Sequence, residues 1–267
     1  MTTYAIGDVR GDFKTLSSLL NEIQFDREQD TLWFTGNLVN GGDDSLGVLR
    51  FVKELGKHAV TVLGEQELRL LGVAERVLPP TAEDRFNDIL AAPDRDDLLK
   101  WLIQRPFLHS EANFVLVHAG IPAEWSVSKA QTLAMEAESS ITMLNRKTFF
   151  ENIFADNPTR WHPKHRGWQR LRFIINAFTR MHYCNELGRL NFSATHPDDN
   201  PPKGYQPWYR LTDRAAANKN IIFGHQPFVD DKCKPGIIPL DSGCARGGAL
   251  SAFTVSSAAK LVSVPCA

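Results

Sequence analysis

Six short junctions gather the polar chemistry of this 267-residue chain. They read Gly7-Asp8-Val9-Arg10-Gly11, Gly36-Asn37-Leu38-Val39-Asn40-Gly41-Gly42, Gly64-Glu65-Gln66-Glu67, His118-Ala119-Gly120, Gly224-His225 and Asp241-Ser242-Gly243-Cys244. One glycine-flanked aspartate after a strand is ordinarily a turn or a helix cap. Six such junctions in order are a constellation. Glu65, His118 and His225 make up a two-histidine, one-carboxylate set, a ligand type that holds single zinc ions. Other residues work against metal binding. A guanidinium such as Arg10 has no lone pair to give, and an amide such as Asn37 offers only a neutral carbonyl oxygen. Gln66 cannot transfer a proton near neutral pH.

The elements that must position these residues are short apolar runs ending in glycine and polar residues: Tyr4–Ile6, Thr31–Thr35, Val60–Leu63, Phe114–Val117, Ile221–Phe223 and Ile237–Leu240. Each reads as a buried strand whose C-terminal end opens a loop, the place where α/β folds build their sites. Helical patterns fill the intervals over Phe13–Ile23, Ser45–Leu55, Gln66–Val77, Arg95–Arg105 and Ala130–Leu144. Residues 149–208 differ, with tryptophans, many prolines and the basic-aromatic stretch Arg166 to Phe173, and predict a helical lid inserted into a single domain spanning 1–267. Within it the Pro197–Pro202 segment reads as a loop. The tail after Phe253 is strand-like and then frayed.

Composition narrows the function classes. Thirty Lys and Arg balance 31 Asp and Glu, a formal net charge of −1, so no global basic field argues for nucleic acid or an anionic membrane, and any phosphate site must be local. At 43% apolar the chain supplies a core, yet no apolar run approaches a membrane span, and Thr2-Thr3 leads straight into a strand without a signal-like segment. The expectation is a cytoplasmic protein. Four cysteines, Cys184, Cys233, Cys244 and Cys266, lack Cys-x-x-Cys spacing and read as reduced thiols.

In order and spacing the six junctions resemble the calcineurin-like metallophosphoesterases, and within them the bacterial symmetrical diadenosine-tetraphosphate hydrolases. The resemblance extends through Asp30-Thr-Leu-Trp-x-Thr-Gly, Val62-Leu-Gly and Arg170-Leu-Arg-Phe-Ile-x-Asn-Ala-Phe-Thr-Arg-Met181. It implies an α/β fold of two mixed sheets packed as a sandwich flanked by helices. It also implies two metals sharing a bridging carboxylate, and a histidine that protonates the leaving oxygen.

Set against that pattern, Asp8, His118 and His225 match. Arg10 stands where a metal-binding histidine belongs, Asn37 where the bridging aspartate belongs, Glu65 for an asparagine, Gln66 for the histidine acid and Gly41 for an arginine used on phosphate. The expected carboxylate pair becomes Asp8 and Glu65 with Arg10 between them, so the formal charge moves from −2 to −1. Arg10 is expected in the first metal's place, paired with Asp8 and with Glu65, because an unpaired buried carboxylate is costly; the alternative is a side chain turned to solvent. At most one divalent metal (Mn, Zn or Co) is expected, at Glu65, His118 and His225, with Asp8 vestigial; the alternative is two histidines merely hydrogen-bonded within the pocket.

The resemblance associates Arg170, Arg172, Asn176 and Arg180 with nucleotide-polyphosphate recognition, and helical spacing puts the last three on one face. Trp161, Trp168 and Trp208 are candidates for stacking on adenine or for lid core. Asp241 is expected to orient site loops by hydrogen bonds. The function expected is that of a pseudoenzyme binding a nucleotide or a protein partner; the alternative is a weak or single-metal hydrolase of diadenosine tetraphosphate or a related phosphoester.

Overall fold

The computed structural model describes residues 1–194, 201–225 and 235–266. From the N-terminus the chain forms β1 (Thr3–Ile6), α1 (Phe13–Glu22), β2 (Thr31–Phe34), α2 (Ser45–Glu54), β3 (Ala59–Thr61) and α3 (Glu65–Ala74). It continues through α4 (Asn87–Ala91), α5 (Arg95–Leu102), β4 (Leu108–Glu111), β5 (Phe114–Val117), α6 (Val127–Met143), α7 (Arg146–Ile153) and α8 (Gly167–Arg180). The remaining elements are β6 (Tyr183–Cys184), β7 (Leu190–Asn191), β8 (Gln206–Pro207), β9 (Asn220–Phe223), β10 (Ile237–Pro239), β11 (Asp241–Ser242), β12 (Ala249–Thr254) and β13 (Leu261–Pro265).

Strand residues point alternately to opposite faces, and here both faces are apolar. Ala5, Trp33, Val62, Leu116, Ile222 and Leu240 form one cluster, while their neighbours Ile6, Phe34, Val115, Val117, Ile221 and Phe223 belong to another that includes the helices. The first cluster joins strands of two sheets, so it is the interior of a sandwich. Sheet one runs β3-β2-β1-β12, with β13 on the far edge of β12. Sheet two runs β10-β9-β5-β4. The first pairs β1 with β2 and β2 with β3 in parallel, the second β5 with β9 and β9 with β10. All six strands end on one side, and their loops meet there.

Strand β11 pairs Asp241 with Leu250, and β1 pairs Ile6 with Ala252, so both occupy the same edge of β12, end to end. This brings Asp241 beside Asp8. The approach is close: a Cβ on Gly7 would lie 2.1 Å from the Leu240 carbonyl oxygen.

Three expectations need correction. The 149–208 segment is not all helical, since after α8 it folds into a small antiparallel sheet β7-β6-β8; its two-residue strands are too short to show a period. The tail is not frayed through Cys266, because β13 pairs with β12 over five residues and Cys266 is bonded to Cys244 in a disulfide. That disulfide also corrects the reading of these two cysteines as thiols, for 22 residues separate them and only the hairpin brings them together. Cys184 is a buried free thiol, as expected; Cys233 and most of the Pro197–Pro202 loop lie outside the described residues. No helix among the described residues is long and apolar enough to cross a membrane.

Candidate active site

Three of the six strand-end loops turn through backbone that side chains seldom adopt. Arg10, Asn37, Asn40 and His225 have φ of 53°, 49°, 71° and 75°, and left-handed residues other than glycine tend to mark sites held by their surroundings. The hydrogen bonds that hold them are explicit. The Arg10 and Gly11 amides donate to the Asn37 and Leu38 carbonyls at 2.8 Å each, lacing the first junction to the second. Glu67, fully buried, accepts from the Gly64, Asn37 and Leu38 amides at 2.8, 2.8 and 2.7 Å, lacing the second to the third.

Asp8 lies at the centre. Thr35 Oγ1 donates to its Oδ1 at 2.8 Å, Asn37 Nδ2 donates to its Oδ2 at 2.9 Å, and the His225 amide donates to the carboxylate at 3.2 Å. A Cβ on Gly224 would sit 1.9 Å from Oδ1, so only glycine lets the fifth junction come this close. Burial, and then the neighbouring Asp241, push the Asp8 carboxyl well above its ordinary range, against the opposing pull of Arg10, Thr35 and Asn37. Asp241 is likewise raised by burial, and its Oδ1 accepts from the Gly243 amide at 3.0 Å, the loop-orienting contact the sequence predicts.

Arg10 does not take the Asp8 pairing expected of it. The Asn37 amide has that role, because an amide donates where an aspartate only accepts. Arg10 instead approaches Glu65, Nη1 to Oε1 at 4.0 Å, with its Nε buried and without a partner. Asn37 Oδ1 accepts from the Gln66 amide at 3.0 Å, and Gln66 links Asn40, at 2.6 Å, to Glu65, at 3.1 Å. Gly41 has φ of 147°, and a Cβ there would come 3.2 Å from the Arg10 Cβ.

The two histidines lie together, ring centroids 5.2 Å apart. His118 is held through Nδ1 by the Thr35 carbonyl at 2.7 Å, while its Nε2 is buried and unpartnered. His225 Nδ1 is also unpartnered and stands 3.8 Å from Glu65 Oε1. Burial, with His225 close by, holds the His118 imidazole well below its ordinary range and so neutral.

The donors that a pair of divalent cations would use are altered or engaged. Asp8's lone pairs are engaged, Asn37 cannot bridge as an anion, and a guanidinium shares the space. For one cation, the ligand atoms of Glu65, His118 and His225 are not brought within 4.8 Å of one another; among the described residues only Asp12, Cys244 and Cys266 meet that spacing, and there both sulfurs are in the disulfide.

The arginine face of α8 has the predicted periodicity but a different target. Arg172 Nε donates to the Asn152 carbonyl, Asn176 to that of Ala155 at 2.8 Å, and Arg180 to Asp156 at 2.8 Å, fastening α8 to the last turn of α7 and the segment that follows it. Arg170 forks onto Glu136 at 2.7 and 2.8 Å. Trp161 and Trp208 are buried core, Trp208 donating to the Ala119 carbonyl at 3.1 Å, and Trp168 packs against that core.

Of the four lid residues only Arg180 reaches the cavity above the junctions. This space of about 370 Å³ is lined by Arg10, Arg180 and Arg246, by His182 and His225, and by Glu65 and Asp241. His182 and Arg246 carry no sequence signal of a role beyond position, directly after α8 and two residues after Cys244. Thr35 and Glu67 lie within or beside the motifs, yet their task is visible only in the hydrogen bonds.

A profile of the calcineurin-like phosphoesterases matches residues 1–193. A symmetrical bis(5'-nucleosyl)-tetraphosphatase of Proteus mirabilis is 42% identical over 94% of this chain and 93% of its own length. The protein of the same name from Methylococcus capsulatus is 42% identical over 99% and 95%. Among solved structures, one described as a putative diadenosine tetraphosphatase superposes with a TM-score of 0.67 at 22% identity, covering 100% of this chain and 94% of that one, a likeness of fold. With the sandwich, the six strand-end loops and near full-length identity in agreement, the chain belongs to the calcineurin-like phosphoesterases and, within them, to the family of the symmetrical bis(5'-nucleosyl)-tetraphosphatases.

Proposed function

We propose that this chain binds a dinucleoside polyphosphate of the diadenosine tetraphosphate type in the cavity above the six junctions and does not hydrolyse it by a two-metal route. The observation that carries the reading is the hydrogen-bond closure around Asp8, in which the Asn37 amide occupies the carboxylate that would otherwise face metal. Three guanidinium groups against two carboxylates leave the cavity lining with a net positive charge suited to a polyphosphate. With Gln66 engaged by Asn40 and Glu65, no proton donor stands at the third junction. A nucleotide ligand fits a cytoplasmic protein.

The unpartnered nitrogens of His118 and His225 favour a second reading, a single-metal hydrolase completed by Glu65. One pair of measurements separates them. Calorimetric titration of diadenosine tetraphosphate in EDTA is expected to show saturable binding. The same mixture in excess manganese, followed by chromatography, is expected to release no ADP, the product that symmetrical cleavage requires. Turnover on the order of 1 s⁻¹ or faster, ordinary for an enzyme, overturns the proposal, and one equivalent of metal with slow turnover supports the second reading. Absence of binding points instead to a protein partner.

A further inference from the structure

The 3-10 turn Cys244–Arg246 forms part of the cavity wall. It lies between Gly243 and Gly247, both left-handed at φ 77° and 73°, and contributes Ala245 and Arg246 to the lining. Its hydrogen bonds are local: Gly243 to the Asp241 carboxylate, Arg246 and Gly248 to the Gly243 carbonyl, Gly247 to the Cys244 carbonyl. What ties the turn to β13 is the Cys244–Cys266 bond, with the Cys266 amide donating to Gly248 at 2.9 Å. Strand β13 alternates exposed and half-buried residues. Cys266 at its end is a half-buried residue next to the chain's exposed edge strand, whereas Cys244 sits in the core.

We propose that Cys244 and Cys266 form a reversible thiol–disulfide site that sets the position of the Ala245–Arg246 wall. A dithiol reductant supplies the chemistry. One thiolate attacks Cys266 Sγ, the sulfur–sulfur bond breaks, and the electron pair leaves on Cys244 Sγ, which takes up a proton. The second thiol then displaces Cys266, giving two protein thiols and the oxidised cyclic dithiol. The Cys244 sulfur lies 3.7 Å from Asp12 Oδ2, the N-cap carboxylate of α1, which is placed to accept a hydrogen bond from the new thiol. Cys184 does not compete: it is buried, and burial pushes its thiol up to about 12. Disulfides in reducing compartments are usually transient and redox-sensing.

Arg10 and Ala245 flank Gly41 on two sides, each Cβ within 3.3 Å of where a Cβ on that glycine would lie, so release of the turn alters the packing beside Arg10. The consequence for ligand affinity rests on the polyphosphate reading of the cavity; the redox site itself does not. The test equilibrates the full chain with oxidised or reduced dithiothreitol. Peptide mapping after alkylation reports the linkage, hydrogen exchange reports the Gly243–Gly248 amides, and inorganic tripolyphosphate titration in EDTA reports the cavity.

Reduction is expected to speed exchange of those amides about tenfold or more and to weaken tripolyphosphate about fivefold through loss of a positioned arginine. Cys266→Ser is expected to show the reduced values in either buffer, with Cys233→Ser unchanged from the parent. Free thiols at both positions in oxidised buffer, or exchange unaltered by reduction, overturns the proposal. If exchange responds but tripolyphosphate binds in neither state, the redox site stands and the polyphosphate reading falls.

Discussion

At the scale of single residues the site turns on which groups carry hydrogens. Asn37 directs its amide hydrogens at Asp8 and its carbonyl oxygen at the Gln66 amide, so one side chain satisfies a buried acid and a backbone donor together. An aspartate at 37 would place a second carboxylate 2.9 Å from the first with no bridging ion to offset it. Asn37→Asp is therefore expected to lose about 2–4 kcal/mol in EDTA at pH 7.5, measured by urea unfolding. The loss shrinks at acid pH, where one of the pair binds a proton. An unchanged midpoint would show that Arg10 absorbs the added charge, which the 4.0 Å Arg10–Glu65 approach does not suggest.

At the scale of elements, α3 and α8 show what sequence patterns determine and what they leave open. Glu67, in the first turn of α3, carries three backbone amides from the loops after β2 and β3, and burial raises its carboxyl against the lowering effect of those amides. Glu67→Gln puts an NH₂ where an acceptor is needed and is expected to cost about 3 kcal/mol, read as a fall in denaturation midpoint. For α8, contrasting variants separate fastening from binding. Arg170→Met is expected to cost about 1 kcal/mol or less, for a partly exposed pair, and to leave tripolyphosphate affinity unchanged. Arg180→Ala is expected to weaken that affinity about tenfold, and equal effects from both would return Arg170 to the site. Strand and helix positions were legible within a few residues because Ala5 against Ile6 and Trp33 against Phe34 follow the pleat. The small lid sheet and the Cys244–Cys266 bond were not, because both depend on contacts distant in sequence.

At the scale of the molecule, the near-zero net charge conceals a basic cavity and two histidines kept neutral inside the fold. The residue types of the site were legible as departures from a pattern, yet the partners were not: Arg10 yields Asp8 to Asn37, and α8 spends Arg172 and Asn176 on its neighbours. These burials make stability depend on pH with a definite sign. His118 is held well below 6.5, and His182, by burial and then by His225, falls to about 3. Because both folded values are depressed, their contribution is complete above the unfolded value near 6.5. It is lost as pH falls, while the unfolded chain binds protons that the fold refuses. Asp8, raised, has the opposite sign: its contribution is complete below 3.8 and is lost as pH climbs through its elevated folded value. Subtracting one protein from another cancels Asp8. Between pH 6 and 4, stability of the parent minus that of His182→Gln should therefore fall by about 1.4 kcal/mol per pH unit, one proton's worth, in urea titrations at fixed ionic strength. A difference independent of pH would mean that His182 is solvated and protonates freely, and that the lid does not close over the cavity at that wall.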